Sequence, residues 1–198
     1  VGIPSVNTRI HTTLAQDRWA LMLGGPRLGP AVLFWGVLSV VVLIAVGLGR
    51  INITPLNTLH WVLLGIGLTQ TDVWVGVIIV GWLLVLGLRA KQEPGISRLR
   101  FNATQVGVVL LSLLALAMLF EAVKHGLLGY PQMQISGNGP SAYELHWYQD
   151  RSGAELPRAW ILSVPLWVYR GLMLAWALWL AFALLRWLRW GWDCFSSG

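Results

Sequence analysis

Apolar and polar positions in this chain follow two different rhythms. Over the first dozen residues the β-branched positions Val6, Thr8, Ile10 and Thr12 interleave with Asn7, Arg9 and His11, which is the period of a strand at a sheet edge. Beyond Gly29 whole segments alternate instead. Leu28 to Gly49 and Phe101 to Phe120 contain no charge, and Val73 to Leu88 and Gly171 to Leu185 are shorter uncharged runs. Roughly 20 apolar residues suffice to cross a hydrocarbon layer of ~30 Å.

Punctuation between these runs sets expected boundaries. Gly24-Gly25-Pro26-Arg27-Leu28-Gly29-Pro30 is a cluster of breakers, with Pro30 suited to the first turn of a helix. The stretch Leu14 to Leu23 reads as amphipathic or interfacial. Thr54 reads as an N-cap with Pro55 as first helical residue, and Asp72 closes a polar turn and opens the next helix. Arg89 to Arg100 is a polar loop, after which Asn102 or Thr104 opens another helix. Residues 130–158 form the longest polar connection. In it Gln132 to Ile135 and Tyr143 to Tyr148 alternate around Gly137-Asn138-Gly139-Pro140, which predicts a β-hairpin.

The expected fold is therefore an all-α integral membrane protein with four to five membrane helices. The spans fall at about 30–49, 55–70, 73–89, 104–128 and 158–190. They include a short helical hairpin over 51–88, and the periplasmic loop 129–157 carries a small extracytoplasmic β-hairpin at 131–149. Residues 1–24 read as the end of an extracytoplasmic β-like region, and 25–198 as the helical membrane domain.

Composition points the same way. Hydrophobic residues make up 56% and charged residues 11%, with a mean hydropathy of +0.65. An ordinary globular chain has roughly 25% charged residues, so these charges are too few to coat a water-facing surface of this size. Thirteen tryptophans suit headgroup depth, where an apolar ring with one N–H is at home. The net charge of +6 would suggest nucleic acid in a soluble protein. Here the basic residues flank apolar runs, so they read as topology determinants, and no nucleic-acid partner is expected. A single cysteine, Cys194, excludes an intrachain disulfide and a cysteine metal cluster, and it reads as a free thiol. The chain opens at Val1 without a basic n-region, so Leu28 to Gly49 reads as a span and not a signal peptide. A start without methionine predicts a fragment or processed product.

Basic residues also set orientation, because short cytoplasmic loops retain them. Arg89, Lys91, Arg98 and Arg100 place one loop inside, and Arg186 and Arg189 bring the last helix back to the same side. The N-terminus and the 129–157 connection then face the periplasm, and the C-terminus the cytoplasm of a bacterial inner membrane.

Ionisable residues inside a bilayer are costly and so count as functional candidates. Asp72, Glu121 and Arg170 each lie about 24–26 Å along their helices from Arg89, Thr104 and Arg186, at 1.5 Å per residue. They define one level near the outer leaflet, read either as a structural belt or as a polar site for ions, protons or a headgroup. His60 falls in the inner half, and His125 at the opposite end of its helix. A shared haem is therefore not expected, and His11 and His146 belong to outer loops. Ser39 and Ser112 read as packing residues. With no triad, phosphate loop or metal spacing, the chain is predicted to be non-enzymatic, with no cofactor, no metal ligands and no catalytic residues.

Asp17-Arg18-Trp19, the run Gly24 to Gly36, Pro55-Leu56-Asn57-Thr58-Leu59-His60-Trp61 and Pro165 to Trp192 resemble one particular membrane region. It is the C-terminal region of large inner-membrane proteins of proteobacteria, in which a periplasmic β-rich portion precedes the membrane segment. The resemblance covers nearly the whole chain and contains no catalytic motif. It implies a membrane-anchoring and assembly module that holds an extracytoplasmic domain and packs against partner membrane subunits or a second copy of itself. The alternative is a transport or energy-coupling subunit using Asp72, Glu121 and Arg170.

Overall fold

The computed structural model describes residues 5–26, 28–51, 53–89, 98–137, 141–152 and 157–196. Most of the polar loop 89–100 and the hairpin-turn residues 138–140 lie outside these. In chain order the elements are β1 (Ser5–Thr13), β2 (Arg18–Gly24), β3 (Ala31–Val32), α1 (Phe34–Gly49), α2 (Thr58–Leu68), α3 (Val73–Arg89), α4 (Arg98–Leu128), β4 (Ile135–Ser136), β5 (Glu144–Ser152), β6 (Trp160–Pro165) and α5 (Leu166–Ser196). They sort into two compact units. One, the strand unit, comprises Val1–Val37 and Pro131–Arg170. The other, the helical unit, comprises Leu38–Tyr130 and Gly171–Gly198.

This architecture corrects the all-α expectation. The described residues form five helices and six strands, the strands arranged in three small sheets. Among the described residues two helices, over Ala103–Leu128 and Leu166–Trp192, are long and apolar enough to cross a membrane, not four or five. The breakers account for the difference. Helices α1, α2 and α3 have 16, 11 and 17 residues, or about 24, 16 and 25 Å at 1.5 Å each, short of a ~30 Å hydrocarbon layer. Gly49 ends α1, and the tract to Pro55 keeps the chain non-helical until Asn57. Asn57, and not Thr54, is the N-cap of α2, its Oδ1 accepting the His60 amide at 2.9 Å. The 51–88 segment is thus two short helices joined by a turn in which Thr69 and Gln70 are buried.

Among the described residues no pairing joins the two arms of the expected 131–149 hairpin. All three sheets are two-stranded and antiparallel, and each joins the N-terminal segment to the connector between α4 and α5: β1 with β5, β2 with β6, β3 with β4. β5 pairs along its length with β1, from Glu144 opposite Thr13 to Ser152 opposite Ser5, while β4 pairs over its two residues with β3. Two runs that read as helix starts are strand instead. Ala31–Val32 pairs with Ile135–Ser136, so α1 opens at Phe34. Trp160–Pro165 pairs with β2, and the Leu166 amide donates to the Asp17 carbonyl at 2.8 Å as α5 begins.

The strand unit closes over Leu14, Ala20 and Met133, with Trp19, Leu23, Ile135, Tyr143 and Ile161 packed around them. On the inward face of β5, Leu145 and Trp147 are fully buried. Trp147 lies against Gly25 and Gly29, where a Cβ would enter the indole ring.

The helical unit packs along stripes spaced three and four residues apart. On α5 the buried positions are Met173, Trp176, Leu180, Ala183 and Trp187, and on α4 Val108, Ala115, Leu119 and Ala122. This spacing is that of helix-pair seams. Glycines set the closest approaches: Gly67 of α2 lies under the Trp176 ring of α5, whose Nε1 donates to the Leu63 carbonyl at 2.8 Å. Between α3 and α4, Trp82 Nε1 donates to Ser112 Oγ, which donates in turn to the Val108 carbonyl, both at 2.8 Å.

A methyl group at Gly67 has nowhere to go, whereas one at Gly81 meets nothing within 4 Å. Gly67→Ala should therefore destabilise the helical unit by about 1–3 kcal/mol, the usual cost of overpacking. Gly81→Ala should leave it unchanged or raise it by up to ~1 kcal/mol through helix propensity. Thermal unfolding of the two variants in detergent, followed by circular dichroism, checks the contrast.

Candidate functional site

The four polar positions singled out on the helices are not gathered into one cluster by any contact among the described residues. Asp72 is exposed at the position preceding α3. Glu121 is exposed on α4 and takes Lys124 of its own helix at 3.2 Å, an i, i+3 pair with both side chains more than half exposed. Arg170 is exposed and belongs to the strand unit by contact, although it lies within α5. His60 is half-buried on α2, its ring 5.9 Å from that of Trp179, and its Nδ1 has no hydrogen-bond partner among the described residues. An apolar groove in the helical unit, lined by Trp82, Val108, Leu113, Trp187 and Trp192, includes Ser112, whose hydroxyl is already committed twice.

Chemistry-bearing side chains converge elsewhere, on the β1–β5 ribbon. Its register sets His11 opposite His146 and Thr13 opposite Glu144. Side chains two residues apart on one strand share a face, so Arg9, His11 and Thr13 stand on the same side as Glu144, His146 and Tyr148. The opposite side carries Leu145 and Trp147 into the core, which fixes the first set outward. The imidazoles of His11 and His146 meet edge to face with centroids 4.4 Å apart. With Glu144 they form a trio whose potential ligand atoms all lie within 4.8 Å of one another, each residue exposed. A groove of about 480 Å³ opens beside them between Arg9 and Tyr148. One end of the ribbon is braced by Tyr148, whose hydroxyl donates to Asn7 Oδ1 at 2.7 Å. Asn7 has φ +59°, a left-handed conformation that asparagine tolerates better than most residues.

No protein-family model, curated protein or solved structure matches the chain. The likeness noted from its motifs therefore rests on those motifs alone, and the site has to be judged by its own geometry.

Reading His11 and His146 as outer-loop residues missed this trio. Both lie in paired strands, and they are separated by more than a hundred positions. The local signals were present: the 6–12 alternation put His11 on the polar face of a strand, and Glu144-Leu145-His146 repeats that alternation around an apolar residue. What joins them is the register, which no spacing encodes.

The phenol of Tyr148 is held above its ordinary range, first by hydrogen bonding with Asp150 and then by burial, with Arg9 acting in the opposite direction. A raised value means that any contribution of the neutral phenol to folding is full below the ordinary phenol range and fades as pH climbs past it. Asp150→Asn should move the Tyr148 titration back down. Ultraviolet difference titration of each protein against its Tyr148→Phe counterpart measures that movement.

Proposed function

We propose that this chain is a membrane-embedded anchoring and assembly module, held by α4 and α5, that carries its strand unit on the extracytoplasmic side of a bacterial inner membrane. The observation that carries this reading is the burial of the two long helices. In their most apolar windows only 22% of α4 and 28% of α5 is buried. A core helix of a water-soluble protein as apolar as these would be mostly enclosed. Here the faces turned away from the packing stripes are apolar too: Val106, Leu110, Leu113 and Phe120 on α4, and Leu172, Leu178, Phe182 and Leu185 on α5, are all exposed. A helix apolar all round belongs in a protein core or in lipid.

Strand pairing supports the orientation. Because β1, β2 and β3 are hydrogen-bonded to strands of the α4–α5 connector, the segments 5–32 and 135–165 belong on one side of any membrane that α4 and α5 cross. Arg89 and Lys91 before α4, Arg98 and Arg100 in its first turn, and Arg186 and Arg189 late in α5 assign the opposite side to the cytoplasm. Helices α1 to α3 then make one net crossing between them, although none is long enough alone. Their exposed apolar positions, among them Leu43, Ile44, Trp74 and Val77, offer surface to lipid, to partner membrane helices or to a second copy.

Alkaline carbonate extraction of membranes from cells expressing the chain is the first test. Retention in the pellet is expected, and release into the supernatant would sink the membrane reading. Sidedness follows from cysteine labelling in a Cys194→Ser background. Arg158→Cys should react with an impermeant maleimide from the periplasm, and Ser97→Cys only after the inner membrane is opened; the reverse pattern overturns the orientation. Leu113→Lys, near the middle of α4, should add about 2.5–3.5 kcal/mol to the cost of insertion and lower the yield of membrane-integrated chain.

A further inference from the structure

We infer that His11, Glu144 and His146 form a binding site for one divalent transition-metal ion of the Zn²⁺ class, which ties β1 to β5. This site stands on the strand register and is independent of how the helices sit in a membrane. Two imidazoles and one carboxylate are borderline and hard donors that suit Zn²⁺, Fe²⁺, Co²⁺, Ni²⁺ or Cu²⁺ and disfavour Ca²⁺, which takes six to eight oxygens. The same three-donor set, with a fourth position left to water, recurs at zinc sites built from two histidines and a glutamate.

Geometry supports the assignment. Metal–ligand bonds of about 2.0–2.2 Å at tetrahedral angles put donor atoms roughly 3.4 Å apart. The trio lies within 4.8 Å, so a closure of somewhat more than 1 Å is needed. All three side chains are exposed, and the register holds their backbones in place. The edge-to-face contact of the two rings already brings them together from separate strands. The groove toward Arg9 and Tyr148 leaves room for the fourth ligand.

The consequence is mechanical. A two-stranded ribbon is marginal in isolation, and β1 and β5 are joined through more than a hundred intervening residues. An ion with donors on both strands binds the paired state and not the separated strands, so it stabilises the ribbon in proportion to its occupancy. Binding needs neutral imidazoles and displaces any proton on them, with no redox step.

The test uses the full chain in detergent micelles or nanodiscs without a histidine tag, stripped with a chelator and titrated with Co²⁺, then with Zn²⁺ in competition. One Co²⁺ per chain is expected, with visible d–d bands that Zn²⁺ abolishes. His11→Ala and His146→Ala should each weaken binding by more than about 100-fold, beyond the 10–100-fold typical of losing an outer-shell partner. Glu144→Gln should also weaken it, and His125→Ala should leave it unchanged. Zn²⁺ should slow amide hydrogen exchange over 5–13 and 144–152 in the parent chain and not in the His11 variant. Since the ligands are exposed, the metal-free variants should keep the parent's circular dichroism; a variant that does not is replaced by His11→Gln or His146→Gln. Absence of stoichiometric binding by the parent chain overturns the site, as does binding that survives both histidine changes. Stoichiometric binding with unaltered exchange over β1 and β5 overturns the tie.

Discussion

Antiparallel pairing between the N-terminal segment and the connector of the two long helices is the constraint from which the other features follow. Each of the three ribbons joins a strand before α1 to a strand after α4, so none can form from a local turn. Closing a loop of about 130 residues costs on the order of 4 kcal/mol in chain entropy, before the constant part of that cost, and an isolated two-stranded ribbon cannot offset it. Three ribbons sharing one closure can. The cost is incurred once, and Leu14, Ala20 and Met133, drawn from both arms, bury their apolar surface against each other. Trp147 then locks the arrangement, because its indole needs the space left by Gly25 and Gly29 on the other arm.

On the proposed membrane reading, the helical unit answers to a different solvent. In water, hydrophobic burial alone would drive the exposed faces of α4 and α5 together. In hydrocarbon that force is absent, and helices associate through close packing and satisfied polar groups. The helical unit shows both devices. Gly67 and Gly126 admit Trp176 and Met173 of α5 to close contact. The Trp82–Ser112–Val108 relay and the Trp176 bond to the Leu63 carbonyl give buried indole N–H groups acceptors at 2.8 Å. Such hydrogen bonds are worth only ~0.6 kcal/mol each between membrane helices, so shape, more than polarity, selects the neighbours.

Much of the helical part was legible in the sequence because its signals are local. Asp72 does precede α3, Gly49 does end α1, and a polar turn does separate α2 from α3. The failures have one cause in common. Ala31–Val32 and Trp160–Pro165 are apolar runs beside helices, and a short apolar strand cannot be told from a helix end by periodicity alone. They are strands because a partner from the far arm lies beside them. The 131–149 hairpin failed for the same reason in reverse: its two runs alternate as strands do, yet each pairs with a strand of the N-terminal segment. The facing of His11 and His146 lay beyond reach because cross-strand neighbours are set by register and not by spacing.

Separation of the polar side chains follows from these two environments. On α4 the carboxylate of Glu121 has a cation one turn away in Lys124, so its charge is balanced within its own helix and needs no group from another. That local pairing removes the physical reason for expecting Glu121 to draw Arg170 toward it. On the β1–β5 ribbon the neighbours of an imidazole come from two residues along its own strand and from across the ladder, so Glu144 and His11 both stand on the face of His146. Histidine and carboxylate side chains there are presented outward, across strands and in a fixed register, by the same alternation that buries Leu145 and Trp147. A ribbon with an apolar inner face of this kind necessarily displays whatever polar residues lie between its core positions, and in this chain two of those are histidines and one is a glutamate.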